Sequence, residues 1–118
     1  MQLKVDPKSN LTGRVELPGD KSISHRAVML GALAQGKTEI EGFLTGEDCL
    51  ATVRALQQLG IKIEGVGTKK LTIYGQGLTG LQQSDDVLDF KNSGTTTRLM
   101  LGILAAQKFY AVVTGDKS

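Results

Sequence analysis

Two segments of this chain read as copies of each other, and that self-similarity limits the fold more than any other feature. Arg26-Ala27-Val28-Met29-Leu30-Gly31-Ala32-Leu33-Ala34 parallels Arg98-Leu99-Met100-Leu101-Gly102-Ile103-Leu104-Ala105. Met29-Leu30-Gly31 matches Met100-Leu101-Gly102, and Leu33-Ala34 matches Leu104-Ala105, both at an offset of 71 residues. The arginines stand 72 apart, so one residue has been inserted or lost. Each arginine follows a small, hydroxyl-rich turn: Lys21-Ser22-Ile23-Ser24 in one copy, Asn92-Ser93-Gly94-Thr95 in the other. A fixed period of about seventy residues marks a repeated supersecondary unit. The alternative is chance likeness between two buried helices of similar composition. If the repeat is real, each unit opens a helix at an equivalent place and aims its N-terminus in a similar direction.

The remaining patterns fill in the units. Leu11 to Leu17 alternates loosely and reads as a short strand. A helix is expected from Ser22 to Ala34, stopping before Gly36, with Ala27, Leu30, Leu33 and Ala34 at helical spacing. Lys37 to Phe43 alternates around Ile40 as a strand. Thr45-Gly46-Glu47-Asp48 opens a second helix, its acids placed where the dipole favours them. Leu50, Val53, Leu56 and Leu59 form its expected buried stripe, and Gly60 ends it. Ile61–Glu64 and Leu71–Tyr74 predict a hairpin with a six-residue connection. Gln76 to Asp86 reads as surface loop and Val87 to Phe90 as a short strand. A third helix runs from the Asn92 turn through Ala106, and Phe109 to Thr114 reads as a strong strand. Alternation of strands and helices predicts an α/β layer architecture.

The start of the first helix carries chemistry. Pro18-Gly19 breaks the preceding strand, and Asp20 or Ser22 can cap the helix. Free N–H groups and the helix dipole favour an anion there. Lys21 adds a point charge, and Arg26 lies one turn on from Ser22 on the same face. Lysine, hydroxyl and guanidinium together suit a phosphate or carboxylate. The residue types leave open a plain capped helix with two solvated cations. In the second copy Gly94 lets a ligand approach the backbone, since it has no Cβ. Two such starts could hold two anions, or two parts of one bi-anionic complex. Gly115-Asp116-Lys117-Ser118 repeats Gly19-Asp20-Lys21-Ser22, with no helix following it in this chain. The Gly-x-x-x-x-Gly-Lys of a P-loop is missing, because Asp20 precedes the lysine.

Composition narrows the partners. A net charge of +2 is too small to imply nucleic acid or an anionic membrane surface, and 4% aromatic residues give no stacking platform. The longest apolar runs, near Ala27–Ala34 and Leu99–Ala106, fall far short of the ~20 residues that span a bilayer. The start of the chain lacks a signal-peptide core. Cys49 is the single cysteine, which fits a reducing compartment, and a cytoplasmic location is the expectation. Asp85, Asp86 and Asp89 have no histidine partner nearby and read as solvated carboxylates rather than metal ligands.

The stretch Leu17-Pro18-Gly19-Asp20-Lys21-Ser22-Ile23-Ser24-His25-Arg26-Ala27 resembles the N-terminal signature of the 5-enolpyruvylshikimate-3-phosphate synthase family. Asn92-Ser93-Gly94-Thr95-Thr96-Thr97-Arg98 is similar to that family's second signature, and Gly46-Glu47-Asp48 also fits. The resemblance implies repeated βαβαββ units, one complete and the start of a second. Residues 1–17 would form a strand belonging to the other domain of the full enzyme, and residues 18–118 part of its N-terminal substrate-binding domain. It implies transfer of the enolpyruvyl group from phosphoenolpyruvate to the 5-hydroxyl of shikimate 3-phosphate, with no metal or organic cofactor. By the match Lys21 is catalytic and touches both substrates, and Ser22 and Arg26 hold shikimate 3-phosphate. Gly94 gives its backbone to phosphoenolpyruvate, with Asn92 and Thr95 lining the same wall.

Arg98 matches a motif arginine and is expected to be structural. Leu99 stands where some members carry proline, which leaves sensitivity to the inhibitor glyphosate open. His25 stands where neighbouring members have Asn, so a supporting role is expected rather than a general base. The nearest rival is the UDP-N-acetylglucosamine 1-carboxyvinyltransferase family, which uses a different lysine turn and a loop cysteine; Cys49 is expected to be a buried structural thiol. A third possibility is a non-catalytic anion-binding domain. Members are several times longer than this chain, so a segment of this size is expected to be inactive alone. The full enzyme is expected to be a monomer, with no nucleic-acid or membrane partner.

Overall fold

The chain leaves its N-terminal arm at Asp20, whose carboxylate accepts from the N–H of Ile23 at 2.8 Å and starts the first helix. A computed structural model describes residues 1–117. In chain order the elements are α1 (Lys21–Leu33), β1 (Gln35–Glu41), α2 (Glu47–Gln58), β2 (Lys62–Glu64), β3 (Lys70–Gln76), β4 (Leu88–Asp89), α3 (Gly94–Ala105) and β5 (Val113–Thr114). The helices and strands form an α/β fold, as the patterning predicts.

β1, β3 and β2 lie side by side in that order, β3 antiparallel to both neighbours. One face is charged and solvated: Lys37–Glu39, Lys62–Glu64 and Lys70–Glu41 pair across it. The other face presents Ile63, Leu71 and Ile73 to the core. α1 and α2 cover that face, and α3 packs on α2. β4 and β5 run parallel, joined through α3, the helical crossover that parallel strands require. The order α1-β1-α2-β2-β3 followed by β4-α3-β5 is one repeat unit lacking its opening strand, then the first three elements of another.

The capped ends carry the repeat. Asp20 and Ser93 both accept from the N–H three residues on, Ile23 and Thr96. Measured from these caps the copies stand 73 apart, two residues off the Met-Leu-Gly match. Two residues turn a helix by about 200°. Accordingly Gly31 is buried whereas Gly102 is exposed. The repeat is thus one of elements and caps, and the matched triplets do not occupy equivalent faces.

Several expectations are corrected. α1 buries Ser24, His25, Val28, Met29, Gly31 and Ala32, while Leu30 is 67% exposed, so the buried face is rotated from the expected one. On α2, Cys49 and Thr52 join Val53, Leu56 and Leu59 in the core, and Leu50 is only half-buried. Leu11–Leu17 forms no strand, because no strand among the described residues lies beside it: Leu11, Val15 and Leu17 are more than 80% exposed. Of Phe109–Thr114 only Val113 and Thr114 are paired, since β4 supplies only two ladder partners and Tyr110 and Val112 face solvent. No helix among the described residues is long and apolar enough to cross a membrane.

Candidate functional site

Three helix starts meet, and Asp48 joins them. Its carboxylate pairs with the Lys21 ammonium at the start of α1. Its backbone carbonyl accepts from the Thr96 hydroxyl, in the first turn of α3, at 3.4 Å. The two signatures, far apart in sequence, are therefore neighbours in space.

The approach to α1 is tight. A Cβ on Gly19 would overlap the carbonyl oxygen of Gly42, so only glycine allows the turn to lie this close to the end of β1. Ser24 fastens the same place: its hydroxyl donates to the Asp20 carbonyl at 2.7 Å and accepts from the Leu44 N–H at 3.0 Å. The approach to α3 is fixed differently. Lys91 takes a left-handed backbone with φ of 53°, sparsely populated for a residue with a side chain. Asp89 holds it, accepting from its N–H and pairing with its ammonium, both at 2.8 Å.

Electrostatics distinguish the three starts. α2 carries Glu47 and Asp48 in its first turn, so its positive dipole end is neutralised by its own carboxylates. α1 and α3 carry no acid in the first turn. The α3 end, capped by the neutral Ser93, remains attractive to an anion, whereas at α1 the Asp20 cap meets the dipole and the attraction rests on Lys21 and Arg26. The hydrogen bond from Lys21 to Asp48, reinforced by their charge attraction, raises the lysine's pKa above its ordinary value. Lys21 is thus a held cation.

Lys21, Ser22 and Arg26 are all exposed, and Arg26 Nη1 donates to the Ser22 carbonyl at 3.3 Å. Asp20, not Ser22, caps the helix, which leaves the Ser22 side chain outside the cap. At the second start Asn92 and Gly94 are exposed and Thr95 is half-buried. Lys91, Asn92, Ser93, Gly94, Gly115 and Asp116 line an open hollow of about 210 Å³. The echo of the first signature therefore returns to the second helix start: Asp116 N–H donates to the Lys91 carbonyl at 3.2 Å, while Ser118 lies outside the described residues. Arg98 is exposed with its guanidinium beside Gly94.

A model of the EPSP synthase (3-phosphoshikimate 1-carboxyvinyltransferase) family matches residues 5–118. The chain belongs to the EPSP synthase family. Proteins named 3-phosphoshikimate 1-carboxyvinyltransferase from Desulforamulus reducens and Pelotomaculum thermopropionicum are 60% and 56% identical to it over 118 residues. Those alignments cover 100% of this chain and 28% and 27% of the relatives. EPSP synthase from Acinetobacter baumannii superposes with a TM-score of 0.85 at 50% identity, over 90% of this chain and 24% of that one. The chain spans about a quarter of the length of the curated relatives it matches.

Within this EPSP synthase segment, Cys49 is fully buried at the start of α2, its sulfur 3.7 Å from the Lys21 carbonyl, and burial pushes its thiol pKa up. It is not a loop thiol. Among the described residues no group of three or more His, Cys, Asp or Glu side chains is placed to hold a metal. Asp48 is the site residue that sequence reasoning passed over. Its position in a first turn gave it a sufficient local role, and nothing local marks the lysine it meets.

His25 is fully buried behind Lys21. Burial, and then the positive charges of Lys21 and Arg26, pull its pKa below the ordinary value of 6.5, against the opposing pull of Asp48. Between its folded and unfolded pKa values the unfolded chain binds more protons, so stability falls as pH drops below about 6.5. In an enzyme containing this segment, thermal melts between pH 7 and pH 5 should show a loss that His25→Asn reduces. An identical pH slope in both proteins would remove the imidazole from the account.

Proposed function

We propose that this segment supplies one wall of the active site that transfers the enolpyruvyl group from phosphoenolpyruvate to the 5-hydroxyl of shikimate 3-phosphate. The observation that carries the reading is the convergence of α1 and α3, both free of first-turn acids, on the Lys21–Asp48 pair. Both substrates are polyanions, and an ammonium held at the start of α1 beside the acid-free start of α3 suits two anions side by side. Lys21 touches both substrates and is the catalytic residue of this segment. Ser22 and Arg26 hold shikimate 3-phosphate. The Gly94 backbone N–H serves phosphoenolpyruvate, flanked by Asn92 and Thr95. In the reaction the 5-hydroxyl oxygen bonds to C2 of phosphoenolpyruvate while C3 takes a proton. The hydroxyl gives up its proton as that bond forms. The C2–O bond to phosphate then breaks, C3 gives up a proton to restore the double bond, and the departing phosphate takes up one proton, so that the hydroxyl proton lost is balanced by the one phosphate gains. Lys21 holds the charge that phosphate carries away.

The arm before Pro18 belongs, on this reading, to the other domain, where Leu11, Val15 and Leu17 find the strand neighbour they lack here. The whole enzyme works as a cytoplasmic monomer without a cofactor. The remaining substrate contacts and the acid–base groups lie outside this segment. Full-length enzyme containing it should therefore release phosphate from the two substrates together, and the segment alone should release none; turnover by the segment would overturn that division of labour.

Gly94 gives a sharper test. Among the described residues the only atom near its would-be Cβ is Arg98 Nη1 at 3.2 Å, the end of a flexible side chain. Gly94→Ala should shift stability by less than about 1 kcal/mol, because alanine is the better helix former. It should weaken phosphoenolpyruvate roughly tenfold, because the methyl group holds the anion off the N–H that alanine still carries and so forfeits about one hydrogen bond to a charged group, with shikimate 3-phosphate little changed. Equal loss for both substrates in titration calorimetry would contradict the assignment.

A further inference from the structure

A buried line of polar side chains runs behind the site and touches all three helices. His25 Nδ1 lies 2.7 Å from the Thr52 hydroxyl, which lies 2.7 Å from the Thr96 hydroxyl, which lies 2.6 Å from the Ser93 hydroxyl. His25, Thr52 and Thr96 are completely buried and Ser93 is 2% exposed. Ser93 Oγ also accepts from the Thr96 N–H, and the Thr96 hydroxyl reaches the Asp48 carbonyl. The line thus begins four residues after Lys21 and ends on the residue before Gly94.

The direction of this line is set by one atom. His25 Nε2 is buried with no hydrogen-bond partner among the described residues. A bare ring nitrogen left unpaired costs less than a buried N–H left unpaired. The proton therefore sits on Nδ1, and Nδ1–H donates to Thr52. Each hydroxyl has a single hydrogen to give. Thr52 then donates to Thr96, and Thr96 to the Asp48 carbonyl. Ser93 also donates to Thr96, whose oxygen has two lone pairs to receive both. Every hydroxyl donates once. In the reverse direction the Nε2–H would be stranded and the Asp48 carbonyl would lose its Thr96 donor.

We propose that His25 is a positioning residue whose Nδ1–H heads a one-way hydrogen-bonded relay through Thr52 and Thr96, fixing the distance between the α1 and α3 starts so that the two anionic substrates are received together. The inference rests on the substrate reading above. His25 and Thr52 touch neither substrate and take part in neither cap, so substituting them leaves each helix start intact and uncouples the two. Binding of one substrate should then no longer favour the other, while affinity for each alone is kept.

The test uses full-length enzyme containing this segment. Imidazole nitrogen-15 shifts, assigned by comparison with His25→Asn, should show the proton on Nδ1 and a bare Nε2; a proton on Nε2 overturns the relay whatever the variants do. Calorimetry then measures each substrate alone and in the presence of the other. His25→Leu and Thr52→Val should each cut the mutual enhancement roughly fivefold or more, the lower range of ordinary coupling between sites. The double variant should be no worse than either single one. His25→Asn, whose amide N–H stands where Nδ1–H stood, should restore the coupling. Unchanged coupling in His25→Leu, or additive losses, would overturn the relay alone. Unaltered enzyme that binds neither substrate would overturn the substrate reading and the relay's purpose with it.

Discussion

Lys21→Ala in a full-length enzyme containing this segment is expected to weaken both substrates at once, by tenfold or more each. Charge-assisted hydrogen bonds are worth about 1.5–3 kcal/mol each, and Lys21 is proposed to make at least one to each anion. The geometry adds to the loss. Asp48 faces Lys21 with its side chain only 31% exposed, and removing the ammonium leaves a carboxylate beside two incoming anions. The variant therefore changes the sign of the local charge. Lys21→Ala,Asp48→Ala should bind better than Lys21→Ala alone, because that repulsion is gone. The fold should survive, since the Asp20 cap and the Ser24 bonds hold the helix start without the lysine. Titration calorimetry on the three variants checks this; unchanged affinity in Lys21→Ala would show that the lysine only decorates the turn.

The largest expected loss of stability comes from a single methyl group. Gly75 lies in β3 directly beneath the end of α1, where an added Cβ would overlap the carbonyl oxygens of both Gly31 and Ala34. Those oxygens cannot move freely. Ala34 caps α1 through its N–H to the Leu30 carbonyl at 2.9 Å, and its own carbonyl receives the Gly77 N–H at 2.9 Å. Gly31 in turn packs on Ile73. To admit the methyl, helix and sheet must separate along their whole contact. Overpacking of this kind costs about 1–3 kcal/mol, and a clash with two fixed backbone atoms belongs at or above the upper end. Gly75→Ala should lower the urea midpoint by an amount equivalent to about 3 kcal/mol. Gly102→Ala is the control: among the described residues nothing lies within 4 Å of its would-be Cβ, and there the methyl should stabilise by about 1 kcal/mol. Equal midpoints for the two variants would remove the close approach from the account.

Much of this was legible because it is local. Asp20 and the hydroxyl-rich turn before Gly94 announce helix starts through side chains that reach only three residues on, and α1 begins within one residue of where its cap chemistry puts it. The hairpin and the acid-rich start of α2 are local in the same way. What failed depends on neighbours. Leu30 is apolar and at helical spacing, yet it is exposed, because nothing among the described residues covers that side of α1. His25 reads as a surface or catalytic residue until Thr52, 27 residues away, is found beside it. Phe109–Thr114 has strong strand chemistry, but a strand extends only as far as its neighbour does. The match at 71 residues identified a true repeat through residues two positions out of phase, whereas the caps, which fix the helix starts, align it correctly.

The central claim is that two equivalent helix starts, brought together on Asp48, receive the anionic groups of two substrates. Its most direct test is a crystal structure of full-length enzyme containing this segment with shikimate 3-phosphate and phosphoenolpyruvate bound. The Lys21 ammonium should lie within hydrogen-bond distance of both molecules, with Ser22 and Arg26 on the first and the Gly94 N–H on the second. Both substrates bound away from these helix starts, or Lys21 still engaged only with Asp48, would contradict it.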